Sequence, residues 1–323
     1  MKYIDIDLNG KSVLITGGAG FIGSNVAFHI QENYPDAHIV IFDAFVLGHF
    51  KNLQGFKGEV IAGDITDPVA MKRLKAHKFD YIFHQAAISD TTVMDQKKMV
   101  EANTNAFGDI LDIAVEMSAD VVYASSAGTY GNSAAPNSIG IGEEPENVYG
   151  FSKLMMDNLA ARYIRYHPNL KIVGLRYFNV YGGREFYKGT TASMILQLGL
   201  KLLKGDAPKL FKWGEQKRDF VYIEDVVQAN LKALESKKSG VYNVGGGVAR
   251  QFNELFGALT TTLGIERAVE YIDNPYKFYQ NHTEADISLS REYLGYEPRF
   301  TLEEGIKAYA DEIRAIAKRE FGV

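Results

Sequence analysis

Tyr149 and Lys153 stand four residues apart at the start of a helical pattern, which places a phenol and an amine on one helix face. A phenol with an ordinary pKa near 10 is a poor base at neutral pH. A neighbouring lysine ammonium, together with a positively charged cofactor ring, favours its ionised form. Tyr149 can then exchange a proton with a substrate hydroxyl while a hydride moves to or from the cofactor. A chain this rich in tyrosine and lysine supplies such a pair by chance, so its placement carries the weight. The preceding strand pattern ends in Tyr123-Ala124-Ser125-Ser126, and Ser126 is placed to hydrogen-bond the same substrate oxygen.

A second group is built of glycine. Thr16-Gly17-Gly18-Ala19-Gly20-Phe21-Ile22-Gly23 follows a strand pattern and opens a helical one, with Gly17, Gly20 and Gly23 at three-residue spacing. Glycines there permit a tight turn, close backbone approach to a pyrophosphate and helix–strand packing. The helix N-terminus then faces the anion. Asp43 lies twenty residues past Gly23 at the end of the next strand pattern, the position from which a carboxylate reaches a ribose. Taken alone, Asp43 argues for NAD. A 2′-phosphate needs a compensating cation, for which His49 and Lys51 lie just downstream. Asp64-Ile65, after the third strand pattern, is placed to meet the adenine ring.

These groups need a sheet behind them. Ser12–Thr16, His38–Phe42, Glu59–Ile61, Tyr81–Phe83, Val121–Ala124 and Lys171–Leu175 read as buried strands. The helical patterns between them include Ile22–Gln31, Asn105–Met117 and a helix starting near Asn147. Such alternation predicts an α/β fold of Rossmann type, a doubly wound parallel sheet with helices on both faces. After Arg176 the alternation breaks down, and Gly240–Val244 is expected to return to the sheet. The expected division is residues 1–176 plus about 239–248 for the dinucleotide, and 177–238 plus 249–323 for a smaller, interleaved substrate part.

Composition bounds the function. The chain has 323 residues, no cysteine, 31 glycines and a formal charge of −5. Disulfides, thiolate metal sites and cysteine nucleophiles are excluded, and no metal is called for. The negative balance argues against nucleic acid as a partner. No apolar run approaches a membrane span. The N-terminal residues lack a basic region followed by an apolar stretch, so no signal peptide and a cytoplasmic location are expected.

The motifs TGGAGFIG, Ser125–Gly131 and Tyr149–Lys153 resemble those of the extended short-chain dehydrogenase/reductases that act on nucleotide sugars. The stretches Arg176–Gly182, Gly183–Gly189, Pro208–Phe211 and Lys217–Tyr222, with Ser89-Asp90-Thr91-Thr92, narrow the resemblance to the ADP-L-glycero-D-manno-heptose 6-epimerases, whose product enters the lipopolysaccharide core. That resemblance implies NADP held tightly and recycled in place, with NAD still open, an ADP-linked heptose as substrate, and a homo-oligomer, often a pentamer. It implies that Lys188 is a second acid/base beside Tyr149. Inversion at a carbinol carbon passes through a planar ketone, and the hydroxyl points oppositely before and after, so a proton-handling group is expected on each side. Lys188 must then be neutral part of the time, and burial or nearby positive charge would lower its pKa.

The same resemblance implies a cofactor set of Gly17, Gly20, Phe21, Ile22, Gly23, Asp43, Ala44, Lys51, Asp64, Ile65, Gln85, Ala86, Ala87, Ser89, Asn103, Tyr149, Lys153, Val180 and Lys188. For the substrate it implies Ser89, Ser126, Asn179, Thr190, Gln197, Phe211, Lys212, Trp213, Gly214, Arg218 and Tyr279, with Arg218 clamping the pyrophosphate. Lys209 and Lys217 add local positive charge. Departures are Ala44 where asparagine is usual, Gly183 for proline and Asp90 for serine. A UDP-hexose 4-epimerase would need only the Tyr149, Ser126 and Lys153 set. A 4,6-dehydratase would need an acidic pair where Ala127-Gly128-Thr129 stands. A non-catalytic dinucleotide-binding protein would not be expected to keep Tyr149, Lys153 and Ser126 together.

Overall fold

The computed structural model describes residues 1–275 and 280–323. The apolar run Ser12–Thr16 forms β1, and the glycine turn after it leads into α1 (Phe21–Asn33). There follow β2 (His38–Asp43), β3 (Glu59–Ala62), α2 (Pro68–Leu74), β4 (Tyr81–His84), α3 (Gln96–Met99), α4 (Ala106–Met117) and β5 (Asp120–Ser126). Helix α5 (Val148–Tyr166) begins where Asn147 caps it, its side chain accepting from the Gly150 N–H at 2.8 Å. Then come β6 (Ile172–Tyr177), β7 (Asn179–Tyr181), α6 (Met194–Lys204), β8 (Lys209–Phe211), β9 (Lys217–Tyr222), α7 (Ile223–Ala233) and β10 (Gly240–Val244). The chain closes with β11 (Ala249–Gln251), α8 (Phe252–Leu263), β12 (Glu270–Ile272), α9 (Ser288–Leu294) and α10 (Leu302–Phe321).

Seven strands pair in parallel in the order β10-β6-β5-β4-β1-β2-β3. From β1 the chain builds outward through β2 and β3, then crosses back to β4. The order therefore reverses between β1 and β4, and a ligand crevice opens over their C-terminal ends. Alternate strand residues go to opposite faces. Val13, Ile15, Phe83 and Val122 pack with α1 and α7 on one face. Leu14, Val40, Ile82 and Val121 pack with α2, α4 and α5 on the other.

The chain leaves the sheet after β6, returns for β10 and leaves again. The departing segments form a three-stranded sheet, β11-β9-β7, and a two-stranded one, β12-β8, with α10 packed on α6 and α8. The apolar cluster beneath α1 and α7 continues without a break into Ile195, Leu198, Leu255, Ile306 and Ile313 of that second part. No helix among the described residues is long and apolar enough to cross a membrane.

Candidate active site and dinucleotide crevice

The turn after β1 leaves no room for side chains. Gly17 has φ 67°, and a Cβ on it would stand 2.6 Å from the Ala86 backbone nitrogen. A Cβ on Gly23 would lie 2.9 Å from Gly18 Cα and closer still to the Gly17 carbonyl. Gly20 precedes α1, and no side chain caps that helix. The first amides of α1 are thus open toward the crevice, the arrangement that receives a phosphate. Thr16 and His84, at the ends of β1 and β4, share a hydrogen bond of 2.8 Å across the switch point.

Asp43 ends β2, buried, with Oδ2 accepting from the Ala19 N–H at 2.9 Å and Oδ1 from the Phe45 N–H at 2.7 Å. The carboxylate thereby ties the glycine turn to the loop after β2, and burial raises its pKa. Ala44 follows it in that loop. Lys51 is exposed and lies 5.7 Å from the Tyr187 ring centroid, while His49 stacks on the same ring at 3.9 Å. Asp64 is exposed and holds Thr66, and Ile65 is buried beside it. Gln85, Ala86 and Ala87 continue from β4, half-buried, and Ser89 is exposed beyond them. Buried Asn103 pins this loop, accepting from the Ile88 N–H and donating to the Ile88 carbonyl and Ser152.

The Tyr149 end is built on α5 and the tip of β5. Ser126 stands beside the Tyr149 phenol and favours its ionised form, and its Oγ accepts from the Gly128 N–H at 3.0 Å. Lys153 is buried, donates to the Ala124 carbonyl at 2.7 Å and lies over the Tyr149 ring, 5.9 Å from its centroid. Burial lowers the Lys153 pKa to about 8. Burial also raises the Tyr149 pKa, with Ser126 pulling the other way. In the protein alone burial therefore outweighs the expected lowering of Tyr149. Behind Lys153, Asp157 accepts from Tyr123, Ser125 and Arg176, and Arg176 also pairs with Glu143 at 2.6 Å.

A cleft of about 300 Å³ opens beside these groups. Ser126, Tyr149, Asn179 and Arg218 line it, joined by Gln280 and Thr283. Val180 sits next to Asn179 in β7, half-buried. Arg218 is buried and donates to the Lys217 carbonyl. The Thr283 hydroxyl is buried without a hydrogen-bond partner among the described residues, and Gln280 donates to the Gly131 carbonyl. Neither was marked by the sequence, where both sit in an unpatterned polar stretch.

Asp219 was also missed, although a lone acid in the run Phe220-Val221-Tyr222 is a signal. It is fully buried and accepts from the Gly246, Gly247 and Ala285 N–H groups at 2.5, 2.9 and 3.0 Å. Those bonds fix the segment from which Thr283 enters the cleft. Burial raises its pKa to about 7.

Lys188 stands apart from that cleft. It lies on the 3₁₀ turn Phe186–Thr191, partly buried, with its amine 5.4 Å from the ring centroid of Phe21, the first residue of α1. Burial lowers its pKa. The sequence reading allowed for positive charge nearby as a second cause, but the acid Glu185 faces it and opposes the shift. Thr190 lies on the same turn and Gln197 in the first turns of α6, the Gln197 amide donating back to the Thr190 and Ala192 carbonyls.

Phe211, Lys212, Trp213 and Gly214 lie at the end of β8, outside the cleft lining. Lys212 pairs with Asp273 at 2.9 Å and Lys209 with Glu270 at 3.3 Å, while Trp213 is exposed against Tyr271. Tyr279 lies outside the described residues.

The signature of the NAD dependent epimerase/dehydratase family matches residues 13–245. The crystal structure of an ADP-L-glycero-D-manno-heptose-6-epimerase from Helicobacter pylori is 54% identical, covering 98% of this chain and 100% of that one, with a TM-score of 0.92. The Thermotoga maritima UDP-glucose 4-epimerase, solved with UDP-glucose, is 30% identical over 94% of this chain and 99% of that one (TM-score 0.88). A Bacillus cereus UDP-glucuronic acid 4-epimerase, solved with UDP-glucuronic acid and NAD, is 27% identical over the same shares (TM-score 0.82). With its glycine cradle, open helix terminus and Ser126–Tyr149–Lys153 set, this chain belongs to the NAD dependent epimerase/dehydratase family and uses a nicotinamide cofactor.

Proposed function

We propose that this protein inverts C6 of the heptose in ADP-D-glycero-D-manno-heptose, giving the L-glycero epimer for lipopolysaccharide core assembly, by oxidation to a 6-ketone and reduction on its other face. The observation that carries this reading is a second amine, Lys188, set over the start of α1 on a different element from the Ser126–Tyr149–Lys153 group. The likeness to the Helicobacter pylori enzyme supports the heptose as substrate. An epimerase working at C4 needs one proton-handling group, and Lys188 would be idle in it.

Gly17, Gly20, Phe21, Ile22 and Gly23 hold the dinucleotide pyrophosphate. Asp43, Ala44 and Lys51 meet the adenosine end, Asp64 and Ile65 the adenine, and Gln85, Ala86, Ala87, Ser89, Asn103 and Val180 line the remainder. Exposed Lys51 is the cation available to a 2′-phosphate, which favours NADP. A nicotinamide ring held there would supply the hydride acceptor for the carbinol carbon and the hydride donor for the other face of the ketone. The Tyr149 phenolic oxygen takes the proton of the C6 hydroxyl while Ser126 holds that oxygen. Lys188 Nζ gives a proton to the ketone oxygen on the other side. Asn179, Thr190 and Gln197 bind sugar hydroxyls, and Arg218 clamps the substrate pyrophosphate with Phe211, Lys212, Trp213, Gly214 and Tyr279 around the nucleotide.

The test follows C6 and C4 inversion by NMR with ADP-heptose and UDP-glucose. C6 inversion of ADP-heptose is expected, and Tyr149→Phe and Lys188→Met should each abolish it. Inversion of UDP-glucose alone, or full activity in the Lys188→Met variant, refutes the reading. Mass spectrometry of the dinucleotide released on denaturation should give NADP.

A further inference from the structure

The turn that carries Lys188 does not hold its own shape. It is entered through Arg184, whose backbone lies in the left-handed region (φ 71°), and broken just after Lys188 at Gly189 (φ 59°). Neither conformation belongs to a helix, and the 3₁₀ bonds between them are weak. Glu185 closes it. Its Oε1 accepts from the Gly182 N–H at 3.1 Å and the Ser193 hydroxyl at 2.8 Å, and its Oε2 accepts from the Ser193 N–H at 2.6 Å. Its backbone carbonyl accepts from the Lys188 N–H at 3.0 Å. One carboxyl group therefore joins the residue before the turn to the N-cap of α6 after it, and the lysine hangs from the same residue.

This group is an acid in a costly place. Its residue has no exposed surface, and among the described residues it makes no ion pair within 4 Å. A buried carboxylate without a touching cation is expensive: burial raises the Glu185 pKa, while the Ser193 and Gly182 donors and then the Lys188 charge favour its ionised form. Lys188 is the cation that faces it, and the Tyr181 and Tyr309 hydroxyls are the other titratable groups whose ionisation it opposes.

We propose that Glu185 is a positioning residue for Lys188: it fixes the turn, and its negative charge keeps the Lys188 ammonium protonated until the ketone oxygen takes the proton. This rests on the two-base reading above. Lys188 then opens each D-to-L turnover as the acid and Tyr149 as the base. The substrate proton goes to the Tyr149 oxygen, the ketone oxygen receives one from Lys188 Nζ, and the proton on Tyr149 returns to Lys188 through solvent before the next cycle.

The test is competitive acetylation with trace acetic anhydride across pH, read for the Lys188 peptide by mass spectrometry. It is applied to the wild type, Glu185→Gln and Glu185→Asp. The half-point for Lys188 should fall by about one pH unit or more in Glu185→Gln, the size of a lost neighbouring charge. It should stay near the wild-type value in Glu185→Asp, which keeps the charge while disturbing the turn. No fall in Glu185→Gln, or equal falls in both variants, overturns the proposal. If Glu185→Gln does not fold, Glu185→Ala takes its place as the neutral variant, with the same expected fall in the Lys188 half-point and the same overturning result. The two readings fail separately. Activity in Lys188→Met removes the second base whatever the labelling shows, whereas an inactive Lys188→Met with an unmoved half-point removes only the role of Glu185.

Discussion

Replacing Lys153 with methionine should cut turnover by orders of magnitude yet improve the protein's relative stability at neutral pH. Lys153 is 1% exposed, and burial lowers its pKa from 10.5 to about 8. Below pH 8 the ammonium is charged in both the folded and the unfolded chain, and the fold carries the full cost of burying it. Between pH 8 and 10.5 the unfolded chain binds a proton that the folded chain has released, so unfolding free energy rises with pH across that window. At about 1.4 kcal/mol for each pH unit, the fall from 10.5 to about 8 amounts to roughly 3 kcal/mol. The methionine variant has no charge to bury and lacks this rise. Its lost bond to the Ala124 carbonyl and its altered packing shift every pH point alike and cancel from the comparison. Urea unfolding of cofactor-free wild type and variant, below pH 8 and above pH 10.5, measures the difference. The wild type should gain roughly 3 kcal/mol on the variant between the two conditions, while kcat in the variant falls by about 10²–10⁴. A difference flat with pH to within about 1 kcal/mol refutes the account of Lys153 as a charge held at the expense of stability.

Gly23→Ala pushes a methyl group into the Gly17 carbonyl and Gly18 Cα, backbone atoms that cannot swing aside. It should cost about 1–3 kcal/mol of stability and release the dinucleotide on gel filtration, read by absorbance of the protein peak. Thr283→Val removes the unpartnered hydroxyl from the cleft at nearly constant volume. Losing one hydrogen bond of about 1 kcal/mol should raise KM roughly fivefold, with kcat little changed in steady-state assays. An unchanged KM means that this hydroxyl does not meet the substrate.

The sheet was legible because its strands are short apolar runs buried on both faces, and periodicity reads such runs well. The glycine turn was legible because three glycines at fixed spacing answer one steric demand, seen in Gly17 against Ala86 and Gly23 against Gly18. The region after β6 was opaque for the opposite reason. Strands β7, β8, β11 and β12 are three residues each, too short to show a period. Glu185 and Asp219 escaped notice because a buried acid looks in sequence like any exposed one. Only the backbone amides brought to it by distant segments reveal its task, as Ala285 does for Asp219 across 66 residues. The Lys188 environment was half legible: burial was foreseen, and the sign of its neighbour was not.

The chain passes between the large sheet and the smaller ones three times, and a single apolar core runs through both. A lobe tethered at one linker can rotate over its ligand as a rigid jaw, whereas one stitched in at β6–β7, α7–β10 and β10–β11 over a shared core is held more tightly. Capture and release of the sugar therefore fall to local backbone: the stretch after β4 that Asn103 pins, and the turn under Glu185. For a reaction that passes through a free ketone this rigidity is a safeguard.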